Sequence, residues 1–452
     1  MTPADIVAAI PPGVMRLVDV LRQNGHAGYV VGGSLRDLLM GRQPHDWDLT
    51  TDARPERIQE LFPGAAYENR FGTVVVRDAD GGAVEITTFR SDFAYLDHRR
   101  PARIEFGERI EDDLARRDFT INALAWGGRP DEDETIVDPF DGRRDIESRI
   151  VRAVRAPRAR FAEDALRMLR AVRLAATLDF EIEPSTLEAI RGESALAAHL
   201  SGERVFAEIS KLLDAPRPSV GLRLMADTGL LAVVVPELAE QVGVAQNKIA
   251  GEDLWDHTVR SVDAAATAGR SGVVRLATLL HDVGKPETAA DGHFYRHEVA
   301  GAARADEILH RWHVPRETIE RVERLIRYHM FSYDSGWSDA AIRRFLAKVG
   351  PACVDDLLAL READNEGSGV PQTAGRIGEL RSRVAAELDA QVALDRSGLA
   401  IDGHDLIAEL GLEPGPPIGR VLDELVDRVV SEPRLNERDR LLALARELTE
   451  AG

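Results

Sequence analysis

Two aspartates with strand-like spacing are the first residues with evident chemistry. Asp46 and Asp48 flank Trp47 in the segment HDWDLTT. Successive side chains of a strand point to opposite faces, and residues two apart share a face. Both carboxylates are therefore predicted on one face, with Trp47 and Leu49 on the other. Such a pair can bind Mg2+, which prefers one or two carboxylates together with phosphate oxygens and water. Glu85, in AVEITTF, becomes a third candidate acid if its strand pairs with theirs. Considered alone, an Asp-x-Asp pair is more typical of an ordinary solvated strand face than of a metal site.

A glycine turn precedes the acid pair. Gly32, Gly33, Ser34 and Arg36 lie where a predicted strand, AGYVV, gives way to a short predicted helix, SLRDLLM. Glycine lets backbone N–H groups approach a phosphate, and a helix N-terminus adds partial positive charge. A plain strand-to-helix turn would also contain these glycines. The turn and the acid pair together suit nucleotidyl transfer, in which metal ions join a triphosphate to the attacking hydroxyl group.

The segment from Phe161 to Leu178 is predicted as one helix with a polar stripe. The stripe consists of Asp164, Arg167, Arg170 and Arg173. Cytosine and adenine each present an amino group beside an unprotonated ring nitrogen, whereas uracil and guanine present a carbonyl beside a ring N–H. Asp164 can accept from the amino group while Arg167 donates to the ring nitrogen, which predicts selection of C and A without a template. A solvated, arginine-rich helix face is the competing interpretation.

The elements that position these residues fall into two classes. Up to about residue 150, strands alternate with short helices, and GTVVVRD and AVEITTF are predicted to form a hairpin. From Ile150 onward, helical periodicity dominates. The predicted fold is therefore α+β, with a sheet-containing head followed by mostly helical domains.

Composition limits the classes of protein that remain. The chain has 452 residues and a formal net charge of −20, which excludes a uniformly cationic surface for nucleic acid. Contact with a polyanion then requires a local basic strip, and the arginines between Ile150 and Val172 provide one. The single cysteine, Cys353, excludes an internal disulfide and a cysteine-based zinc cluster. No signal-peptide pattern and no membrane-spanning apolar run is evident, so we expect a cytoplasmic protein without membrane contact.

Three segments together carry a family resemblance. The chain resembles the class II, bacterial-type CCA-adding tRNA nucleotidyltransferases and their poly(A) polymerase relatives in the segments VVGGSLRDLLMGRQPHDWDLTTDARP, ARRDFTINALAW and AEDALRMLRAVRLA. The likeness extends to RVFAEISKLL. The resemblance implies a polymerase-β-like palm with Asp46 and Asp48 as magnesium ligands. It also implies a nucleotide site formed by Gly32, Gly33, Ser34, Arg36, Arg116, Arg117, Asp118, Asn122, Asp164, Arg167, Arg170 and Arg173. One of the two adjacent arginines, Arg116 or Arg117, is expected to contact the nucleotide.

A basic loop is predicted between Ser91 and Arg109, and it contains His98, Arg99 and Arg100. The resemblance implies that this loop is a flexible element involved in the change from C to A addition. A solvated basic loop fits the composition equally well.

A second candidate site lies in the helical part of the chain. Imidazole and carboxylate ligands are offered there by His257, by the adjacent pair His281 and Asp282 in LLHDVGKPET, and by Asp364 in READNEG. His297 and His329 lie between them in the sequence. The pattern resembles the HD phosphohydrolase superfamily, which implies a site for a second divalent transition metal. Histidines of an ordinary core or surface are the competing interpretation.

These features predict template-independent addition of C, C and A to the 3′ end of tRNA from CTP and ATP, with release of pyrophosphate. The predicted domains are a nucleotidyltransferase head (1–150), a helical neck that binds nucleotide and tRNA (151–250), an HD-like domain (251–370) and a tRNA-binding tail (371–452).

A poly(A) polymerase, or an enzyme that adds only CC or only A, shares these motifs and remains an alternative. An HD hydrolase whose palm only binds RNA is an alternative from another class. A guanosine tetraphosphate synthetase and hydrolase would carry the two modules in the opposite order.

Overall fold

The computed structural model describes residues 3–44, 46–67, 72–78, 81–95, 101–246 and 248–450. The chain divides into two units, Met1–Pro236 and Glu237–Gly452. Among the described residues, no helix combines the length and the apolar character needed to cross a membrane.

Most of the strands among the described residues lie in the first unit. They are β1 (Gly28–Val31), β2 (Trp47–Thr51), β3 (Ala66–Tyr67), β4 (Thr73–Arg77), β5 (Ala83–Thr88), β6 (Arg90–Tyr95), β7 (Pro101–Phe106), β8 (Ala125–Gly128), β9 (Thr135–Val137), β10 (Ile150–Val151) and β11 (Glu181–Ile182). Seven of them form one sheet in the order β3-β4-β5-β2-β1-β8-β9. The pair β2–β5 is parallel, while β1–β2 and β4–β5 are antiparallel, so the predicted hairpin is confirmed. Strand β2 lies inside the sheet and places its residues between β1 and β5.

Short helices alternate with these strands, and longer helices follow. The helices are α1 (Pro3–Ala9), α2 (Pro12–Gln23), α3 (Gly33–Leu39), α4 (Pro55–Leu61), α5 (Ile110–Ala115), α6 (Gly142–Ser148), α7 (Pro157–Glu163), α8 (Leu166–Leu178), α9 (Pro184–Glu193), α10 (Gly202–Leu213), α11 (Pro218–Asp227), α12 (Leu230–Val234) and α13 (Pro236–Ala239). Helix α8 buries an apolar face that includes Leu169 and Val172, as its period requires. The α+β class and the helical character after Ile150 are confirmed.

The single helix predicted over Phe161–Leu178 is wrong. Helix α7 ends at Glu163 and α8 begins at Leu166, because Asp164 adopts an extended conformation (φ −148°, ψ 105°). Its carboxylate accepts the N–H of Leu166 at 3.1 Å, one of the donors that the start of α8 leaves unpaired. Asp164 is therefore not part of the helical polar stripe to which the i, i+3 spacing assigned it.

The predicted loop between Ser91 and Arg109 is also wrong in part, because β6 and β7 pair as an antiparallel ribbon. The basic residues His98, Arg99 and Arg100 lie outside the described residues.

The second unit is helical apart from the short pair β12 (Ala289–Ala290) and β13 (His293–Phe294). Its helices are α14 (Leu254–Thr267), α15 (Gly272–Leu280), α16 (Lys285–Thr288), α17 (His297–Arg311), α18 (Arg316–Tyr328), α19 (Asp339–Val349), α20 (Val354–Gly367), α21 (Ile377–Asp389), α22 (Gly403–Leu410), α23 (Pro416–Ser431) and α24 (Arg438–Glu450). The last three helices share an apolar core around Leu406, Leu425 and Leu441. The histidines and acids of the second candidate site are buried, and they lie on or next to helices α14, α15, α17, α18 and α20.

Candidate active site

A cavity of about 350 Å3 in the first unit gathers most of the residues singled out by the sequence. Its lining consists of Gly32, Gly33, Asp48, Thr73, Thr87, Arg90, Arg116, Arg117, Asp118, Asn122, Asp164, Leu166, Arg167, Arg170 and Arg204. The glycine turn, one member of the acid pair and the proposed base-reading residues therefore share one cleft, although they are far apart in the sequence.

The sheet register positions the acids. Asp48 lies opposite Val31 of β1 and opposite Glu85 of β5. Asp46 is exposed in a bend just before β2, so only Asp48 is a strand residue. Burial raises the pKa of the Asp48 carboxyl, as does the negative charge of Asp46, whereas Arg117 lowers it. The two carboxylates are thus close enough to repel each other.

This donor set fits a divalent cation. Paired carboxylate oxygens beside a polar cleft are the ligands that Mg2+ prefers, and a cation would relieve the repulsion between Asp46 and Asp48. Glu85 is exposed and, as the register partner of Asp48 on a parallel strand, directs its side chain to the same face of the sheet.

The turn at Gly32 needs glycine for two reasons. Its φ of 74° is in the left-handed region, and a Cβ atom there would lie 2.8 Å from Nη1 of Arg117 and 3.4 Å from Oδ2 of Asp48. Ser34 is buried and donates its hydroxyl to the carbonyl oxygen of Val31 at 2.9 Å, which ties the start of α3 to the end of β1. The turn is therefore held close to both charged groups.

Arg36 does not belong to the cavity lining. Its Nη1 donates to Oδ1 of Asn122 at 2.7 Å, and its Nε and Nη2 donate to Oδ1 of Asp37 at 2.9 and 2.7 Å. The guanidinium therefore braces the first turn of α3 against Asn122.

Asp118 is the centre of a buried polar network. Its Oδ2 accepts Nε of Arg170 at 2.7 Å, and its Oδ1 accepts the N–H of Phe119 at 2.8 Å and Nδ2 of Asn122 at 3.1 Å. Burial raises the pKa of Asp118, but the Arg170 guanidinium and the Asn122 amide outweigh it and hold that pKa well below its usual range. The carboxylate stays charged and anchors α8 to the segment after α5.

The adjacent arginines differ in their contacts. Arg116 donates Nε and Nη2 to Oδ1 of Asp113 at 2.9 and 2.6 Å. Within the part of the chain that the structure describes, both hydrogen bonds of Arg117 are long, at 3.4 Å to the carbonyl oxygen of Asn122 and 3.5 Å to Oδ2 of Asp113. Its Nε is buried and makes no hydrogen bond with the described residues. Arg117 is therefore the less firmly held of the two, and it lies beside Gly32 and Asp48.

The predicted base-reading pair is held by other side chains. Oδ2 of Asp164 accepts Nη2 of Arg204 at 2.7 Å. Arg167 donates Nη1 to Oε2 of Glu163 at 2.9 Å and Nη2 to the carbonyl oxygen of Arg116 at 2.9 Å. Arg173 lies further along α8, where its Nε donates to Glu208 at 2.6 Å.

Sequence reasoning singles out neither Arg204 nor Glu163. The only available signals are the segment RVFAEISKLL, which begins at Arg204, and the position of Glu163 beside Asp164. Nothing in the spacing of Asp164 and Arg204 indicates that they pair, since the two residues are 40 positions apart.

In the second unit, the four predicted metal ligands come together and are almost fully buried. Nε2 of His257 lies 3.3 Å from Oδ2 of Asp282 and 3.3 Å from Oδ1 of Asp364, and Nε2 of His281 lies 3.2 Å from Oδ2 of Asp282. His297 also joins the cluster. Burial raises the pKa of Asp282, but the charges of His281 and Lys285 hold it well below the usual range. Mixed imidazole and carboxylate donors of this kind suit a divalent transition metal.

Comparison with known families covers both units. Residues 28–152 match the model of the poly(A) polymerase head domain, residues 179–242 match the RNA and SrmB binding site of polymerase A, and residues 297–445 match tRNA nucleotidyltransferase domain 2. The CCA-adding enzyme of Geobacillus kaustophilus is 36% identical over 429 residues, which are 94% of each chain. That of Levilactobacillus brevis is 33% identical over 430 residues, 94% of this chain and 95% of the relative. The crystal structure of Bacillus stearothermophilus CCA-adding enzyme in complex with CTP has a TM-score of 0.72 and 30% identity, and it covers 98% of this chain and 99% of that one.

Proposed function

The chain belongs to the family of CCA-adding enzymes, and on that premise we propose that it adds C, C and A in turn to the 3′ end of tRNA, with CTP and ATP as donors. The observation that carries the proposal is one cavity lined both by Asp48 with the glycine turn and by Asp164 with Arg167. The terminal ribose hydroxyl of the tRNA attacks the α-phosphate, and pyrophosphate leaves.

Nucleotidyltransferases of this family use a divalent metal, and we propose that it is Mg2+ held by Asp46 and Asp48, with Glu85 as a third acid. When bound, the ion neutralises the triphosphate and lowers the pKa of the attacking hydroxyl. The chain's own contribution is to hold two acids beside a backbone turn whose N–H groups can donate to phosphate oxygens.

For the triphosphate, Gly32 and Gly33 supply close backbone approach and Arg117 supplies a guanidinium. Arg117 is preferred over Arg116 because Asp113 holds Arg116 through short bonds of 2.9 and 2.6 Å, whereas the bond of Arg117 to Asp113 is 3.5 Å long and its buried Nε has no hydrogen-bond partner among the described residues. A guanidinium donor of this kind matches the geometry of phosphate oxygens.

For the base, Asp164 accepts from the amino group of C or A and Arg167 donates to the adjacent ring nitrogen. Arg204 and Glu163 keep these two side chains in place through hydrogen bonds of 2.7 and 2.9 Å. A base with the reversed donor pattern makes neither of these two bonds, at about 1–3 kcal/mol for each bond lost. Asp118 and Asn122 are assigned to the sugar, and Arg170 stabilises Asp118.

The test uses tRNA transcripts that end before the first C, before the second C or before the terminal A, each incubated with one nucleotide. We expect C on the first two and A on the third. Long A tails on unrelated RNA without C addition would show a poly(A) polymerase, and addition to only some of the transcripts would show a CC-only or A-only enzyme. The alternative of an HD hydrolase predicts that the main activity survives the double change Asp46→Ala and Asp48→Ala.

For the second unit, we propose that His257, His281, Asp282 and Asp364 bind a divalent transition metal. The head (1–150), neck (151–250), HD-like domain (251–370) and tail (371–452) of the sequence analysis stay predictions, with tRNA contacts assigned to the neck and tail. A cytoplasmic location follows from the proposed tRNA substrate.

A further inference from the structure

Two threonine hydroxyl groups lie in the cavity of the first unit and take no part in the contacts assigned above. Thr73 of β4 and Thr87 of β5 are register partners, and both line the cavity. Among the described lining residues, they are the only two with a hydroxyl side chain. Most of the other polar side chains of the lining are charged. The hydroxyl pair, Thr73 and Thr87, is therefore suited to a neutral group of a substrate.

The sheet places the hydroxyl pair beside the candidate metal-binding acids. Thr87 is two residues after Glu85 on β5, so the two side chains share a face of the sheet. Asp48, the register partner of Glu85, is on that face as well. Two residues along a strand span about 6–7 Å. A sugar whose reacting oxygen lies at the acids can therefore reach the hydroxyl pair.

The strand order fixes which side of the acids each substrate occupies. The order β4-β5-β2-β1 gives, from one side to the other, Thr73 on β4, Glu85 on β5, Asp48 on β2 and Gly32 directly after β1. In an in-line displacement, the attacking and leaving oxygens lie on opposite sides of the phosphorus. Because the triphosphate is assigned to the turn at Gly32, the attacking ribose belongs on the opposite side, where the hydroxyl pair lies.

We propose that Thr73 and Thr87 bind the terminal ribose of the acceptor RNA through its 2′ hydroxyl and thereby select RNA over DNA at that end. The inference rests on the proposed function and deepens it by naming residues that recognise the attacking nucleotide. The 2′ hydroxyl is on the carbon next to the one that carries the attacking 3′ hydroxyl, so it is close to the reacting oxygen. A 2′ hydroxyl is also the group by which a protein distinguishes RNA from DNA at a given site. The sugar of the incoming nucleotide is a separate group, assigned to Asp118 and Asn122.

The hydroxyl pair has hydrogen-bonding capacity to spare. Each threonine hydroxyl has one hydrogen to donate and two lone pairs that accept. The two Oγ1 atoms are 3.4 Å apart, and neither has another hydrogen-bond partner among the described residues. Their mutual bond uses one hydrogen, so the pair can still donate to a ribose hydroxyl and accept from it. The 2′ carbon of a deoxyribose can do neither.

The surroundings hold the pair in place and favour a ligand over a purely structural role. Thr50 is buried and donates its hydroxyl to the carbonyl oxygen of Thr87 at 2.9 Å, which joins β2 to β5 at this position. Val75, the register partner of Glu85 on β4, is apolar and offers no side-chain hydrogen bond. A cross-strand threonine pair can also serve only to stabilise a sheet. At 3.4 Å, however, the bond within the pair is longer than the usual 2.5–3.0 Å of an O–H···O bond and is weak.

The test compares two acceptors that differ by one oxygen atom. tRNA transcripts that end before the terminal A carry either ribose or 2′-deoxyribose on the last C, and kcat/KM for A addition is measured with each. We expect the wild type to prefer the ribose end by about 5- to 150-fold, which corresponds to one hydrogen bond of about 1–3 kcal/mol. Thr87→Val keeps the shape of the side chain without its hydroxyl. It should lower kcat/KM for the ribose end by that factor and leave kcat/KM for the deoxyribose end at the wild-type value. Thr73→Val should also reduce the preference.

Thr135→Val is the matched control. Thr135 is an exposed threonine on β9 of the same sheet, so its replacement should preserve the preference for the ribose end. The preference of Thr87→Val for CTP over dCTP should equal that of the wild type, because the sugar of the incoming nucleotide is bound elsewhere. A purely structural role of Thr87 would lower kcat/KM for both acceptors by the same factor, and that result would contradict the proposal.

Two other results would overturn it. One is equal kcat/KM for the two acceptors in the wild type, and the other is a wild-type preference that survives in both Thr73→Val and Thr87→Val. If the wild type adds nothing to the ribose-ended acceptor, the proposed function fails, and the inference fails with it. Addition to that acceptor with an unaltered preference in both variants refutes the inference alone.

Discussion

Replacing Arg170 by alanine tests the network around Asp118. In the wild type, Nε of Arg170 donates to Oδ2 of Asp118 at 2.7 Å, and the Asp118 side chain is 10% exposed. The substitution leaves that carboxylate with the Phe119 N–H and the Asn122 amide as its partners. A hydrogen bond between charged groups contributes about 1.5–3 kcal/mol. The Arg170 side chain is 37% exposed, so solvent screening reduces the expected loss to about 1–2 kcal/mol.

Urea unfolding at pH 7 measures this loss, with Arg191→Ala as the matched control. Arg191 is also a helical arginine of the first unit, and its ion pair with Glu188 is 3.5 Å long with both side chains largely exposed. The control should lose no more than about 0.5 kcal/mol. If Arg170→Ala and Arg191→Ala unfold at the same urea concentration, the network does not stabilise the head as argued.

The pH dependence of the same measurement has a definite sign. The pKa of Asp118 is lower in the folded chain than in the unfolded chain. Its ionisation therefore stabilises the fold fully above the unfolded value, near 4, and that stabilisation is lost as pH falls through the folded value. Without Arg170 the folded pKa rises, so the gap between wild type and variant should be constant above about pH 5 and should narrow below pH 4. A gap that widens on acidification would refute the assignment.

Three further outcomes are expected. Asp48→Asn should lower kcat for C addition by about 100-fold or more at saturating CTP, because it removes a metal ligand; an unchanged kcat would remove Asp48 from the mechanism. Asp164→Asn should reduce the preference for CTP over UTP in kcat/KM by roughly 5- to 150-fold, the equivalent of one buried hydrogen bond of 1–3 kcal/mol, and an unaltered preference would mean that another group reads the base. Gly32→Ala should raise KM for CTP, since its Cβ would displace Arg117, whereas Gly41→Ala has a similar left-handed φ with no atom within 4 Å and should lose stability without a change in KM. Equal KM values for these two variants would contradict the close approach at Gly32.

Much of the first site could be predicted because its determinants are local. The alternation in HDWDLTT and the glycines after AGYVV predict a strand and a turn from local sequence. The turn forms as expected, whereas the strand begins at Trp47 and leaves Asp46 just before it. The local rule failed at Asp164, where the i, i+3 spacing of Asp164, Arg167 and Arg170 indicates a continuous helix. The spacing does not reveal that Asp164 adopts an extended conformation, in which its carboxylate accepts the N–H of Leu166 at the start of α8.

In the second unit, the sequence indicated the types of residue in the cluster but not which of them meet. The adjacent His281 and Asp282 form a recognisable motif in the sequence. His297 and His329 belong to no motif, and they meet Asp282 only because helices α17 and α18 place their ends beside it. The direction of each Nε2 depends on a carbonyl oxygen three residues earlier, which spacing alone does not reveal.

The sequence by itself determined the α+β head, the helical remainder, the acid pair and the glycine turn, because these features depend on neighbours within a few residues. Tertiary structure alone decided that Arg204 pairs with Asp164, that Arg117 lies against Gly32, and that Asp282 faces four histidines. Apart from the adjacent His281 and Asp282, these contacts join residues far apart in the chain, and their strength depends on distance, direction and burial. Those quantities are set by how strands and helices pack, and a linear pattern does not contain them.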